Sequence, residues 1–503
     1  MIKIAVIGAG SIAFTRKLMA DILAVPELQD THFHFMDINR ANLDNMFRLA
    51  ERDLRENAVE TQARIEKTMD RREAVTDADY VINLARVGGL EALQFDIEIP
   101  LKYGVDQCVG DTLAPGGIMY AQRGIPVMLD LCRDIREVAK PNALLLNYAN
   151  PNPMLTWAAT HYGGVRCVGL CHGVEGGTRL LARLFDVPHE ELDVICAGIN
   201  HQTWYIRVLH KGEDLTPRVL EAFEKHPEIV EHEKCRVDVL RRTGYFSTET
   251  NGHLSEYLQW YRKTPEDVAR WAYIDDKRPL GGETAGYLRF SIKRRNFLET
   301  DMPRWMEEDV KPFTPENRSH EHGSFIIESL ETGRLYRGHF NLLNNATIPN
   351  LPEDAIVEAP AYVDGNGISM PPVGKLPDIC AAICNQSIEV QRLAVKGAVK
   401  GDLQKLKQAV MIDPLTSAVC TTPEVWQMVD RLVCAEEKWL PQYAGDIPDA
   451  RARLAEEEDL GTHDLYPPTR KQMEVQVADL QSTLLDMEDA EIRGDLYDDD
   501  SDS

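Results

Sequence analysis

Over its first 200 residues the chain alternates short apolar runs with stretches of helical periodicity. Ile2 to Ile7 reads as a buried strand. Ser11 to Leu23 follows as a helix, with Ile12, Leu18, Met19 and Ile22 near one face. His32 to Met36 is a second strand and Asn39 to Leu54 a second helix. Tyr80 to Ala85, Ala143 to Asn147 and Arg166 to Leu170 are further apolar strands. This rhythm predicts an α/β fold with a Rossmann-like, doubly wound parallel sheet. Beyond residue 200 the rhythm weakens. Val194 to Ile199 is a strand candidate, mixed segments follow, and Gln391 to Val410 has helical periodicity with little turn chemistry. The pattern divides the chain into a Rossmann-like domain (1–200), an α+β domain (201–443) and a C-terminal extension (444–503).

Charge sharpens that division. The 503 residues carry a net charge of −26, and residues 444–503, with 18 acidic and 5 basic side chains, hold half of it. The extension reads as a solvated acidic tail with one amphipathic stretch, Val475 to Met487. An acidic chain disfavours nucleic acid and anionic membranes as partners. No apolar run is long enough to span a bilayer. The N-terminus enters a strand pattern at once and lacks the layout of a signal peptide. Ten scattered cysteines then read as reduced thiols, and the expected location is cytoplasmic.

Gly8-Ala9-Gly10-Ser11-Ile12-Ala13 joins the first strand to the first helix. Glycines there permit a tight turn and close approach of a pyrophosphate, and the helix start offers free N–H groups to it. Asp37, at the end of the second strand, is placed for the ribose hydroxyls and favours NAD over NADP. Gly8, Gly10, Ser11, Ile12 and Asp37 are therefore candidate cofactor residues.

Three polar clusters end three strands: Asn147-Tyr148-Ala149-Asn150-Pro151, Leu170-Cys171-His172-Gly173-Val174 and Ala197-Gly198-Ile199-Asn200-His201. Ligands in open α/β sheets sit beyond such ends. Cys171 and His201 offer a thiolate and an imidazole to one metal, or are simply packed; ligand softness alone points to zinc.

These stretches, with Met36-Asp37-Ile38, the run Asp111 to Met119, Gly244-Tyr245-Phe246, His253 to Tyr257, Asn350-Leu351-Pro352 and Val363 to Ile368, follow one another in a recognisable order. Over residues 1 to 443 the chain resembles glycoside hydrolase family 4, and within it the melibiase-type α-galactosidases. The acidic tail lies outside the resemblance. It implies hydrolysis by NAD-mediated oxidation at sugar C3, deprotonation at C2 with metal assistance, elimination, water addition and re-reduction. It implies Mn²⁺ held by Cys171 and His201, and His172 as the leaving-group acid or a hydrogen-bonding pocket residue. Asn150 would contact sugar hydroxyls and Asn83 the cofactor. Asp111 would contact the sugar, or cap the turn at Gly116-Gly117. The base at C2 falls between Glu249 and Tyr261, with Tyr257 first and His253 and Glu249 behind it. A homodimer or homotetramer is also implied.

The substrate is less sharply marked. Gly173 replaces the serine of the α-galactosidases, and glycine there is associated with α-glucuronidases and some α-glucosidases. The Asp111-Thr112 and Pro115-Gly116-Gly117 runs, with Gly244-Tyr245-Phe246, follow the galactosidase pattern. The expected substrate is an α-galactoside; the alternatives are α-glucuronides or α-galacturonides. A lactate/malate-type dehydrogenase would need an Asp-x-x-Arg and His pairing that is not evident. A non-catalytic NAD sensor, using the tail as a partner contact, is the third reading.

Overall fold

A computed structural model of the chain describes residues 1–11, 14–59, 62–273 and 280–463. Ile12, and the amphipathic stretch expected at 475–487, lie outside the described residues. Six parallel strands open the fold: β1 (Lys3–Ile7), β2 (His32–Met36), β3 (Arg64–Thr68), β4 (Tyr80–Asn83), β5 (Leu144–Asn147) and β6 (Arg166–Gly169). Their order, β3-β2-β1-β4-β5-β6, is that of a dinucleotide-binding sheet. Successive side chains point to opposite faces, so each strand feeds two cores. Ile4, Val6, Ile82 and Leu146 pack with the helices Thr15–Leu23 and Arg40–Glu56. Ala5, Ile7, Val81 and Leu145 pack with the helices Ala114–Val138 and Asp378–Lys400 on the other face. Continuous apolar runs, rather than alternation, are what a doubly covered parallel sheet requires. Truncating one of these residues, such as Ile82 at 0% exposure, costs about 2–5 kcal/mol.

The sheet then continues with antiparallel partners. β7 (Leu192–Ile199) and β8 (Gln202–His210) form a hairpin, and β9 (Glu213–Asp214) follows β8. β10 (Tyr336–Leu343) and β11 (Ile356–Asp364) lie between β6 and β7, and β12 (Gly367–Ser369) pairs with β11. The single pairs Asn341 with Gly169 and Glu358 with Gly198 join the two regions. The three antiparallel pairings make β7 run opposite to β6, and Gly169, the last residue of β6, falls on one row with Asn341, Glu358 and Gly198, so the ends of the two strands meet at the same level of the sheet.

Two expectations change. The segment Gln391 to Val410 is not one helix but parts of two, Asp378–Lys400 and Leu403–Ile412. Gly401 takes a left-handed conformation (φ 63°) and Asp402 caps the next helix by accepting from Lys405 N at 3.1 Å. The acidic extension expected from residue 444 begins inside the packed body: the helix Ile447–Glu456 buries Ile447 and Ala450, and Arg453 pairs with Asp430. Among the described residues no helix is long and apolar enough to cross a membrane.

Candidate functional site

A cavity of about 690 Å³ opens at the carboxyl ends of β1, β4, β5 and β6 and beside the turn after β7. Its floor begins at the β1 turn. Gly8 has φ 84°, and a Cβ on it would come within 2.8 Å of Ala85 N. A Cβ on Gly10 would meet Asn42 and the Asp37 carboxylate. The chain itself therefore demands both glycines. Asp37 accepts from Gly10 N and Asn39 N, each at 2.8 Å, which leaves a lone pair on each oxygen for a diol. Among the described residues the N-cap residue Phe14 of the helix starting at Thr15 makes no side-chain cap hydrogen bond, and the start of a helix that follows a glycine turn is a favourable place for a pyrophosphate. This arrangement fits a dinucleotide. Ser11 is on the cavity wall. Asn83 is not. It donates to Asn147 Oδ1 at 2.9 Å, accepts from Ala85 N, and ties the ends of β4 and β5 together.

Asp111, Asn150, Cys171, His201, Glu249 and His253 share the far wall. Cys171 follows β6 directly. His201 occupies the two-residue turn between β7 and β8 in a left-handed conformation, φ 62°. Such a backbone is unfavourable for a side-chain-bearing residue and concentrates at functional sites. The tautomer of His201 follows from its neighbour. Thr112 Oγ1 lies 2.8 Å from Asp111 Oδ1 and 2.7 Å from His201 Nδ1. The ionised carboxylate only accepts, so the single hydroxyl proton goes to Asp111. Thr112 must then accept from His201 Nδ1–H, and the lone pair at Nε2 is left for a metal. Cys171, His201 and Glu249 each offer a ligand atom within 4.8 Å of the others, a donor set that fits a divalent cation.

Asp111 is buried and accepts from Asn150 Nδ2 at 2.8 Å. Burial pushes its carboxyl up, but the imidazoles of His253 and His201 and the Thr112 hydroxyl hold it below the ordinary range. It does not cap the following helix: Asp413 and Gln107 accept from Ala114 N and Gly116 N. The helix Asn251–Tyr257, capped by Thr250, presents two functional faces. His253 reaches the cavity, its ring 5.1 Å from that of His201. Glu256 faces the loop that delivers Asp111 and accepts from Cys108 N, Val109 N and Gly110 N, each at 2.8 Å.

Both halves of the chain match one family. The family 4 glycosyl hydrolase model matches residues 3–187, and the family 4 glycosyl hydrolase C-terminal domain model matches residues 196–416. The chain belongs to glycosyl hydrolase family 4. It is 54% identical over 454 residues to the α-galactosidase of Rhizobium meliloti (strain 1021), covering 90% of this chain and 92% of that one. It is 33% identical over 449 residues to the α-galactosidase of Bacillus subtilis (strain 168), covering 88% and 100%. Its fold is similar to that of the 6-phospho-β-glucosidase of Thermotoga maritima solved with manganese, NAD⁺ and glucose-6-phosphate. That match has a TM-score of 0.70 at 21% identity and covers 87% and 99% of the two chains.

Within this family 4 chain, the expected acid and base occupy different depths. His172 is half-exposed on the cavity wall, stacked on Phe14 at 5.6 Å, and its Nε2 lies 2.7 Å from Glu321 Oε2. Burial lowers its pKa, but the charge and hydrogen bond of Glu321 hold it above the ordinary imidazole value. Tyr257 is 1% exposed and lies behind the wall, its hydroxyl 3.5 Å from both Asp111 Oδ1 and His201 Nδ1. Burial, then the charges of Asp111 and Glu256, push its phenol well above the ordinary value. His253, by contrast, is lowered by burial and so is held neutral. Sequence reasoning missed Glu321, which sits 149 residues from His172, and Glu256, whose partners are backbone N–H groups. No motif signals either. It also missed Glu358, buried near Asn200, whose carboxyl is pushed up to about 8 by burial and by the charge of Glu249.

Proposed function

We propose that this family 4 enzyme hydrolyses α-galactosides with NAD and Mn²⁺ as resident cofactors. The observation that carries the reading is the convergence of Asp111, Asn150, Cys171, His201 and His253 on one cavity that also reaches Ser11 and Phe14, at the start of the helix Thr15–Leu23. The two α-galactosidase relatives support a galactoside over a uronide. The cofactors named for the Thermotoga maritima structure support NAD and manganese. When bound, NAD supplies a reversible two-electron oxidation of the sugar and the metal supplies Lewis acidity at its oxygens.

The chain's own groups do the rest. Asp37 binds the ribose diol of the cofactor, and the start of the Thr15–Leu23 helix faces its phosphates. Cys171 and His201 hold the metal, and Thr112 fixes the His201 tautomer. Asp111 and Asn150, linked to each other, orient the sugar hydroxyls. His253 removes the proton from C2: it lines the cavity, its Nδ1 lies 2.7 Å from Thr250 Oγ1, and in the tautomer with the proton on Nδ1 its Nε2 accepts. Tyr257, behind Asp111 and His201, orients both. His172 protonates the departing glycosidic oxygen, and Glu321 aims it. The ten cysteines stand as free thiols, and a cytoplasmic setting remains part of the proposal. A homodimer or homotetramer, and the division near residue 200, remain part of the proposal on the family resemblance.

The test compares p-nitrophenyl α-galactoside with p-nitrophenyl α-glucuronide, supplying NAD, Mn²⁺ and a thiol reductant and omitting each in turn. Release from the galactoside alone, abolished by each omission, is expected. Release from the glucuronide alone would overturn the substrate assignment.

A further inference from the structure

We propose that Glu249 is a third protein ligand of the divalent metal, admitted to that position by the absence of a side chain at Gly173. The proposal rests on the metal reading above and adds to it. Glu249 Oε1 lies 3.6 Å from Cys171 Sγ. A Cβ on Gly173 would sit 1.7 Å from the same oxygen, a separation no pair of heavy atoms tolerates. Any side chain at 173 therefore expels this carboxylate. Gly173 does not need its glycine for a left-handed turn; it has no such conformation. It opens the helix Gly173–Phe185, where an ordinary residue would otherwise serve. What its glycine provides is room for Glu249.

The backbone makes a matching concession. Glu249 itself has φ 75°, in the left-handed region, as does His201. Two of the three clustered residues thus hold unfavourable backbones that bring their side chains together. The Glu249 carboxylate is 9% exposed; among the described residues the basic side chain beside it is His253, neutral and with Nδ1 at 3.8 Å, and no arginine or lysine is paired to it. A nearly buried carboxylate lacking a cationic side chain is costly unless an ion compensates it. The second cluster at this wall, Asp111, His201 and His253, is less open: Asp111 Oδ1 already accepts from Thr112 and Oδ2 from Asn150. Chemically, a Cys–His–Glu set brings a thiolate and a carboxylate, two negative charges, to a dication. The carboxylate oxygen also shifts a Cys–His pair away from a purely soft site towards one suited to manganese.

The test is Mn²⁺ titration of the full-length, NAD-loaded protein, followed by electron paramagnetic resonance of free Mn²⁺, for wild type, E249Q, G173A and C171S. E249Q is expected to weaken binding at least tenfold. G173A is expected to do the same, because the methyl group moves the oxygen while keeping its charge. Thermal melting of the metal-free variants checks that each is folded, and G173A carries the test if E249Q is not. Weakening in C171S with E249Q and G173A within twofold of wild type would overturn the proposal and leave the metal reading intact. Weakening in E249Q but not in G173A would reduce Glu249 to a distant charge and also overturn it. Wild-type-like binding in C171S would remove the metal reading and the proposal together.

Discussion

Thr112 is a small residue with a large predicted consequence. Its hydroxyl is the nearest group that sets which His201 nitrogen carries the proton, through contacts of 2.8 Å to Asp111 and 2.7 Å to His201, while the Tyr257 hydroxyl stands further off at 3.5 Å. Thr112→Val replaces that hydroxyl by a methyl group of nearly the same size at a site 1% exposed, so packing is preserved. His201 Nδ1–H is then left facing a methyl group. An unpaired buried donor costs about 1–3 kcal/mol. The histidine escapes part of that cost by moving the proton to Nε2, which blocks the metal. Loss of such an outer partner weakens metal sites by about 10–100-fold. The expected result is therefore an Mn²⁺ dissociation constant raised by about that factor, with NAD affinity unchanged. Thr112→Ser, which keeps the hydroxyl, should restore most of it. Isothermal titration of Mn²⁺ against the NAD-loaded variants reads this directly. If Thr112→Val binds Mn²⁺ within twofold of wild type, the tautomer argument is refuted.

Other positions give separate signatures. His253→Asn should lower kcat on p-nitrophenyl α-galactoside by about 10²-fold or more, the scale of a lost general base, whereas Tyr257→Phe should cost less than about tenfold; the reverse order would return the base to Tyr257. Glu321→Gln should slow hydrolysis of an alkyl α-galactoside far more than that of the p-nitrophenyl substrate, whose leaving group needs little protonation; equal losses would exclude an acid role for the His172 pair. Glu256 provides a pH test. Burial raises its carboxyl from 4.5 to about 7 in the folded chain, so the folded state holds a proton that the unfolded state has lost between those values. Its contribution to stability is greatest below pH 4.5 and falls by up to about 3 kcal/mol as the pH rises through 7. The gap in melting temperature between wild type and Glu256→Gln should narrow from pH 5 to pH 8; a constant gap would contradict it.

The sheet was legible because buried parallel strands write themselves as apolar runs, and β1, β2, β4, β5 and β6 each fall within the run that predicts them. The break at Gly401-Asp402 was also written in the chain, as a glycine followed by a capping acid, but helical periodicity on both sides masks it. At the site, the strand-end rule brings Asn150, Cys171 and His201 to one cavity from 51 residues of sequence. Depth was not legible. His253 and Tyr257 stand four residues apart on one helix face, and the His201 ring stacked with Tyr257 and the Asp111 carboxylate at its hydroxyl come from distant segments that leave one residue on the wall and the other buried. The pairings of Gly173 with Glu249 and of His172 with Glu321 span 76 and 149 residues of chain. No local spacing encodes them.

On the proposed reading, hydrolysis proceeds through removal of the C2 proton rather than by direct displacement between two carboxylates. Hydrolysis of p-nitrophenyl α-galactoside in D₂O, with the galactose examined by proton NMR, tests it most directly. Galactose carrying deuterium at C2 is expected, with incorporation dependent on NAD, Mn²⁺ and His253. Galactose formed at full rate with its C2 proton retained would contradict it.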